Sequence, residues 1–114
     1  MDLSKYLHIF VNDSQEHLQR MDEHLLQLER HPEDVQAIDS LFRSAHSIKG
    51  MSTTMGFEEL SQIAHSLESL LDPYRSGGQP LDRQAVDILL RGVGRLRQLV
   101  AQVSREGDGS GGTL

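Results

Sequence analysis

At 114 residues the chain is one domain's worth, enough for a single core, and with no cysteine it has no disulfide framework, thiolate metal cage or cysteine nucleophile. Its 17 acidic residues against 11 basic ones give a formal net charge of −6, which argues against the basic stripe that nucleic-acid binding needs. No apolar run approaches the ~20 residues that cross a bilayer, and Met1-Asp2 does not open a secretory leader, so the expectation is a soluble, cytoplasmic domain without membrane insertion.

Apolar residues recur at helical spacing along nearly the whole chain. In the first segment Leu3, Leu7, Phe10, Val11, Leu18, Met21, Leu25 and Leu28 fall on one face, with Asp2 or Ser4 as the capping residue. His31-Pro32 ends this helix, because a proline disfavours helical geometry in the residue before it. Pro32 then suits the first position of a second helix, followed by Glu33 and Asp34. The inward face of that helix is Val35, Ile38, Leu41, Phe42, Ala45, Ile48, Ser52 and Met55, and Gly56 ends it.

A third helix carries Phe57, Leu60, Ile63, Ala64, Leu67, Leu70, Leu71 and Tyr74 inward and stops at Gly77-Gly78. Pro80 and Asp82 open a fourth, with Ala85, Ile88, Leu89, Val93, Leu96, Leu99, Val100 and Val103 on its inner face. Gly92 lies near that face, where a missing side chain lets a neighbouring helix approach closely. The fold class expected is all-α, an antiparallel four-helix bundle over residues 1–106. Residues 107–114 are glycine-rich and read as a flexible tail or linker.

The chemistry concentrates in Arg43-Ser-Ala-His46-Ser-Ile-Lys49-Gly50, within the second helix. At ~100° per residue, Ala45 and Ile48 point to the core and His46 turns towards solvent. Lys49 and Gly50 are its neighbours one turn on. A helical glycine costs roughly 1 kcal/mol relative to alanine; here it leaves the surface beside His46 open to a partner's active site. Lys49 supplies positive charge for a phosphorylated ring. In the third helix, Glu68 flanks the inward face and could reach the His46 imidazole. A carboxylate on Nδ1 fixes the tautomer and raises the basicity of Nε2. His65, one turn before Glu68, could add a second polar contact.

His17, His24 and His31 recur every seven residues, roughly 10 Å apart along the axis, too far for one metal ion. They read as residues at the boundary of the apolar face.

Ala45-His-Ser-Ile-Lys-Gly50, Met55-Gly-Phe57 and His65-Ser-Leu-Glu-Ser-Leu-Leu-Asp72 together resemble the N-terminal histidine-containing phosphotransfer (HPt) domain of the CheA family of chemotaxis histidine kinases. The segment Asp2-Leu-Ser-Lys-Tyr-Leu-His-Ile-Phe10 is similar to the start of that domain too, so the resemblance covers roughly residues 2 to 104. It implies a bundle of four or five helices without catalytic activity of its own, the fifth C-terminal helix having no counterpart in this sequence. It also implies that the ATP-binding kinase domain of the same system phosphorylates His46, using ATP and magnesium held on that partner domain. The phosphoryl group would then pass to an aspartate on response-regulator receiver domains of the CheY and CheB type. Glu68 would orient the imidazole, Lys49 and His65 would flank it, and Gly50 would give access. No cofactor is expected in this domain, and a monomer is expected of it in isolation.

Three other readings stay open from the residues alone. One is an HPt module of a multi-step phosphorelay. Another is a metal-binding bundle using His46, His65 and Glu68, and the third is an adaptor bundle in which His46 is dispensable.

Overall fold

The computed structural model describes residues 3–107. Four helices follow one another: α1 (Leu3–Arg30), α2 (Val35–Met55), α3 (Glu58–Gly77) and α4 (Arg83–Gly107). Each buries one stripe. Phe10, Leu18, Met21, Leu25 and Leu28 come from α1, Ile38, Leu41, Ala45 and Ile48 from α2, Leu60, Ala64, Leu67 and Leu71 from α3, and Leu89, Val93, Leu96 and Val100 from α4. Helix α1 packs on α2 and α4, and α3 packs on the same two, which makes a four-cornered bundle around one core. Contacts pair Thr53 with Ser61, His46 with Glu68 and Asp39 with Arg75, so α2 and α3 run antiparallel along their length.

The turns show why the helices begin and end where they do. Asp34, not Pro32, caps α2: its backbone is extended (φ −71°, ψ 98°) and its carboxylate accepts the Ala37 N–H at 3.2 Å. Pro32 was expected as the first helical residue. It lies instead in the turn, because a carboxylate that satisfies an orphan N–H fixes the start more firmly than a favourable proline φ. The Pro32 carbonyl accepts the Leu81 N–H at 3.0 Å and ties this turn to the α3–α4 loop.

The same correction applies to α4. Pro80 lies in the loop, and Asp82 accepts the Ala85 N–H at 2.8 Å to start the helix. At the other end of α2, Gly56 takes a left-handed φ of 78°, and the Phe57 N–H bonds back to the Ser52 carbonyl at 2.9 Å. That is a Schellman ending, for which glycine carries no Cβ penalty. The Phe57 ring then meets Phe10 edge-on at 5.1 Å, which seats the α2–α3 turn on α1.

Three residues expected on the inner faces are exposed: Leu3, Val35 and Ile88. Leu3 and Val35 sit in the first turns of their helices, past the end of the packed layers. Ile88 lies on the α4 flank that turns away from both neighbours, so the α4 stripe is narrower than the pattern of apolar residues. Gly92 does face α3, as its spacing suggested. A Cβ there would stand 2.5 Å from Cδ2 of Leu67.

The Asp2 cap and most of the 107–114 tail fall outside the described residues. Gly107 itself closes α4. No helix among the described residues is long and apolar enough to cross a membrane.

Candidate functional site

Halfway along α2, Ala45 and Ile48 are fully buried and the residues between them turn outward. His46 therefore stands on the surface, its side chain 63% exposed. Register between antiparallel α2 and α3 brings Glu68 opposite it. Glu68 is a buried acidic residue, 9% exposed, and both of its oxygens are engaged. Oε2 bonds the Nδ1 of His46, and Oε1 accepts from the Lys49 ammonium at 2.7 Å.

A buried carboxylate is costly unless it is paired. Burial pushes the Glu68 carboxyl up, but the hydrogen bonds and positive charge of Lys49 and the bond to His46 outweigh it. The carboxyl is held below its ordinary value and is ionised at neutral pH. An ionised carboxylate can only accept, so Nδ1 of His46 carries the proton, and it is Nε2 that bears the lone pair of the neutral ring. Nε2 is the ring nitrogen that Glu68 does not engage, on a side chain that is mostly exposed.

Gly50, one turn beyond His46, has open space around it: a Cβ built there meets nothing within 4 Å. Its glycine is therefore not required by packing within this chain. Gly50 and His46 border a shallow groove between α1 and α2 that Tyr6, Ile9, His17 and Met51 also line. Tyr6 and Ile9 are about half exposed (50% and 48%) and give the groove an apolar wall. His17 touches Ser44 across the α1–α2 seam at 3.4 Å, and its burial, with Arg20 nearby, lowers its pKa against the opposing pull of Asp13 and Glu16.

On the other side of His46, one turn earlier, the Phe42 ring is nearly parallel to the imidazole (7°), with centroids 6.4 Å apart. The Arg75 guanidinium of α3 lies over the Phe42 ring at 3.8 Å. The sequence pattern places Phe42 in the core and gives no signal for Arg75. Their meeting depends on the register of two helices, for which no local motif exists.

The five site residues expected from α2 and α3 are thus unequal in the structure. His46, Lys49 and Glu68 form one bonded cluster with Gly50 beside it. The His65 ring is exposed and makes no hydrogen bond or ion pair with a described residue. Among the described residues, no three His, Asp or Glu side chains gather where they could hold one metal ion. The histidines at 17, 24 and 31 stay apart, His31 pairing loosely with Glu33 at 3.8 Å.

A four-helix bundle that presents one exposed histidine at mid-helix, braced by a buried glutamate of the next helix, has the plan of a histidine-containing phosphotransfer domain. The chain belongs to that family: the Hpt domain matches residues 5–106. The chemotaxis protein CheA of Bacillus subtilis is 41% identical over 109 residues, covering 96% of this chain and 16% of that protein. The chain thus spans about one sixth of the length of that curated relative.

Among solved structures, the CheA phosphotransferase domain from Thermotoga maritima superposes with a TM-score of 0.85 at 34% identity, covering 91% of this chain and 99% of that one. The phosphorylated P1 domain of CheA3 in complex with CheY6 from R. sphaeroides superposes with a TM-score of 0.80 at 26% identity, covering 96% and 84%.

Proposed function

We propose that this domain is the phosphoryl carrier of a chemotaxis-type two-component kinase and that His46 carries the group. The observation that bears the most weight is the bonded trio. Glu68 holds the proton on Nδ1, Lys49 holds Glu68 ionised, and the exposed His46 ring borders one open groove with Gly50.

The chemistry follows from that geometry. The Nε2 lone pair attacks the γ-phosphorus of ATP held by a separate kinase domain. The new N–P bond forms as the bond to the β-phosphate oxygen breaks, and ADP leaves. The Nδ1 proton stays in place, so the phosphorylated ring is cationic, and the Glu68 carboxylate beside it offsets that charge. Lys49 stands within reach to screen the phosphoryl oxygens.

In the onward step an aspartate oxygen of a CheY- or CheB-type receiver attacks the same phosphorus, and the electron pair of the N–P bond returns to Nε2. Phosphoryl transfer depends on in-line positioning and charge neutralisation more than on covalent help from the carrier. The domain supplies a positioned nucleophile, and its partners supply the magnesium and the remaining charge. The apolar wall of Tyr6 and Ile9 suits a partner that covers the α1–α2 groove while reaching His46 over Gly50. The relative solved phosphorylated and in complex with CheY6 supports this reading.

The test is phosphorylation in vitro. Incubation with a chemotaxis-type kinase core and labelled ATP is expected to give an acid-labile, base-stable label on the wild type and none on His46→Gln. Adding a receiver protein is expected to remove the label. A folded wild-type domain that stays unlabelled with several competent kinase cores contradicts the proposal.

A further inference from the structure

The hydrogen bond to Glu68 fixes one atom of the His46 ring but not its plane. The torsion that turns an imidazole about its Cβ–Cγ bond is broad, and a ring this exposed has little packing around it. The flat surface beside it within the chain is the Phe42 ring, at i−4 and hence one turn away on the same helix face. The two planes differ by 7° with centroids 6.4 Å apart, inside the ~4.5–7 Å range in which aromatic rings orient one another.

Phe42 is itself only partly buried, so its own plane needs holding. Arg75 does this from α3, its guanidinium carbon 3.8 Å from the phenyl centroid. The guanidinium is tied to carboxylates on both helices, Asp39 at 3.6 Å on α2 and Asp72 at 3.4 Å on α3. Asp39 lies one turn before Phe42 and His46 one turn after.

We infer that Phe42 is a positioning residue for His46, with Arg75 as the clamp that holds the phenyl plane. The inference rests on His46 being the phosphoryl carrier. Phe42 touches no phosphoryl group and moves no proton. It backs the imidazole so that the Nε2 lone pair keeps one direction while the N–P bond forms and the bond to ADP breaks. Arg75 is unsuited to bind the phosphoryl group itself, because two carboxylates and the phenyl face already occupy it.

The test compares wild type, Phe42→Leu, Arg75→Lys and His46→Gln with one kinase core and labelled ATP. Phe42→Leu keeps apolar volume and removes the flat face. Arg75→Lys keeps the charge and removes the planar fork, at a position whose loss leaves the core intact. Phe42→Leu is expected to lower the turnover for phosphorylation roughly tenfold, the scale of a small misplacement of a reacting atom. The KM for the domain stays within about twofold, the range expected when positioning and not binding is lost. Arg75→Lys gives a smaller drop of the same kind.

Long-range proton–nitrogen NMR of the His46 ring is expected to show the Nδ1–H tautomer retained in both variants. A rate drop without a tautomer change separates control of the ring plane from control by Glu68. Wild-type turnover in folded Phe42→Leu overturns the inference, as does a rate drop accompanied by a switched tautomer. Should Phe42→Leu fail to fold, wild-type turnover in Arg75→Lys overturns it equally. An unlabelled wild type marks failure of the carrier reading instead.

Discussion

Leu67 and Glu68 are adjacent in the chain and belong to regions built on opposite terms. Leu67 turns to α4, where Gly92 lets the helices close until an added Cβ would press on the Leu67 side chain. Glu68 turns to α2, where its oxygens are committed to the Nδ1–H of His46 and the Lys49 ammonium, and the glycine of the site has empty space around it. Both regions place a glycine inside a helix. In the α3–α4 seam close packing accounts for it. At the α2 surface nothing within the domain does, and the open space is what a partner would use. Open space alone does not mark a site, since Gly94 inside α4 also meets nothing within 4 Å; at Gly50 the open surface lies one turn from the exposed His46.

The largest expected effect on this contrast comes from the site. Glu68→Gln removes the charge-assisted bond that orients His46, worth ~1.5–3 kcal/mol. At ~1.36 kcal/mol per tenfold, phosphorylation by a matched kinase core slows roughly 10- to 100-fold. Circular dichroism is expected to show the bundle intact, and an unchanged rate in steady-state labelling would remove Glu68 from the orienting role.

The two glycines should respond with opposite signs. Gly92→Ala drives a methyl into Leu67. Overpacking of about 1–3 kcal/mol, less the ~1 kcal/mol gained in helix propensity, leaves a net loss of about 1 kcal/mol in denaturant unfolding. Gly50→Ala meets no neighbour and gains ~0.5–1 kcal/mol, which thermal melting reads as a rise of a few degrees. The same variant is expected to transfer its phosphoryl group to a receiver more slowly. Higher stability with undiminished transfer would take away the access role of Gly50.

The smallest effect is on the acid limb of stability. Glu68 has a folded pKa below its ordinary value, so it binds its proton less readily folded than unfolded. Its contribution is present above the ordinary glutamate range and is lost as pH falls through the lower folded value. Urea unfolding across that window should show a shallower fall for Glu68→Gln than for wild type. Parallel curves would mean that the carboxylate pairing adds nothing to folding.

The sequence made much of this legible, unevenly. Helix stripes such as Leu18, Met21, Leu25 and Leu28 were readable because a 3.6-residue period needs no knowledge of the partner. Helix starts were not, because Pro32 and Asp34, or Pro80 and Asp82, offer competing signals and only the cap geometry decides between them. His46, Lys49 and Gly50 were visible as a group because all three lie within two turns of one helix.

Glu68 was within reach only on the assumption that α2 and α3 pack antiparallel. That assumption also suggested a polar contact for His65, which the structure leaves exposed and without a hydrogen bond. Phe42 carried no signal beyond core, since its role depends on an arginine that arrives from another helix.

The central claim is that a buried carboxylate holds the proton on Nδ1 of His46 so that phosphorus bonds Nε2. The most direct test is nitrogen NMR of the His46 ring before and after phosphorylation by a kinase core. The free domain is expected to show the Nδ1–H tautomer at neutral pH, and after labelling a nitrogen–phosphorus coupling at Nε2. Phosphorus on Nδ1 of His46, or on any other histidine, would contradict it.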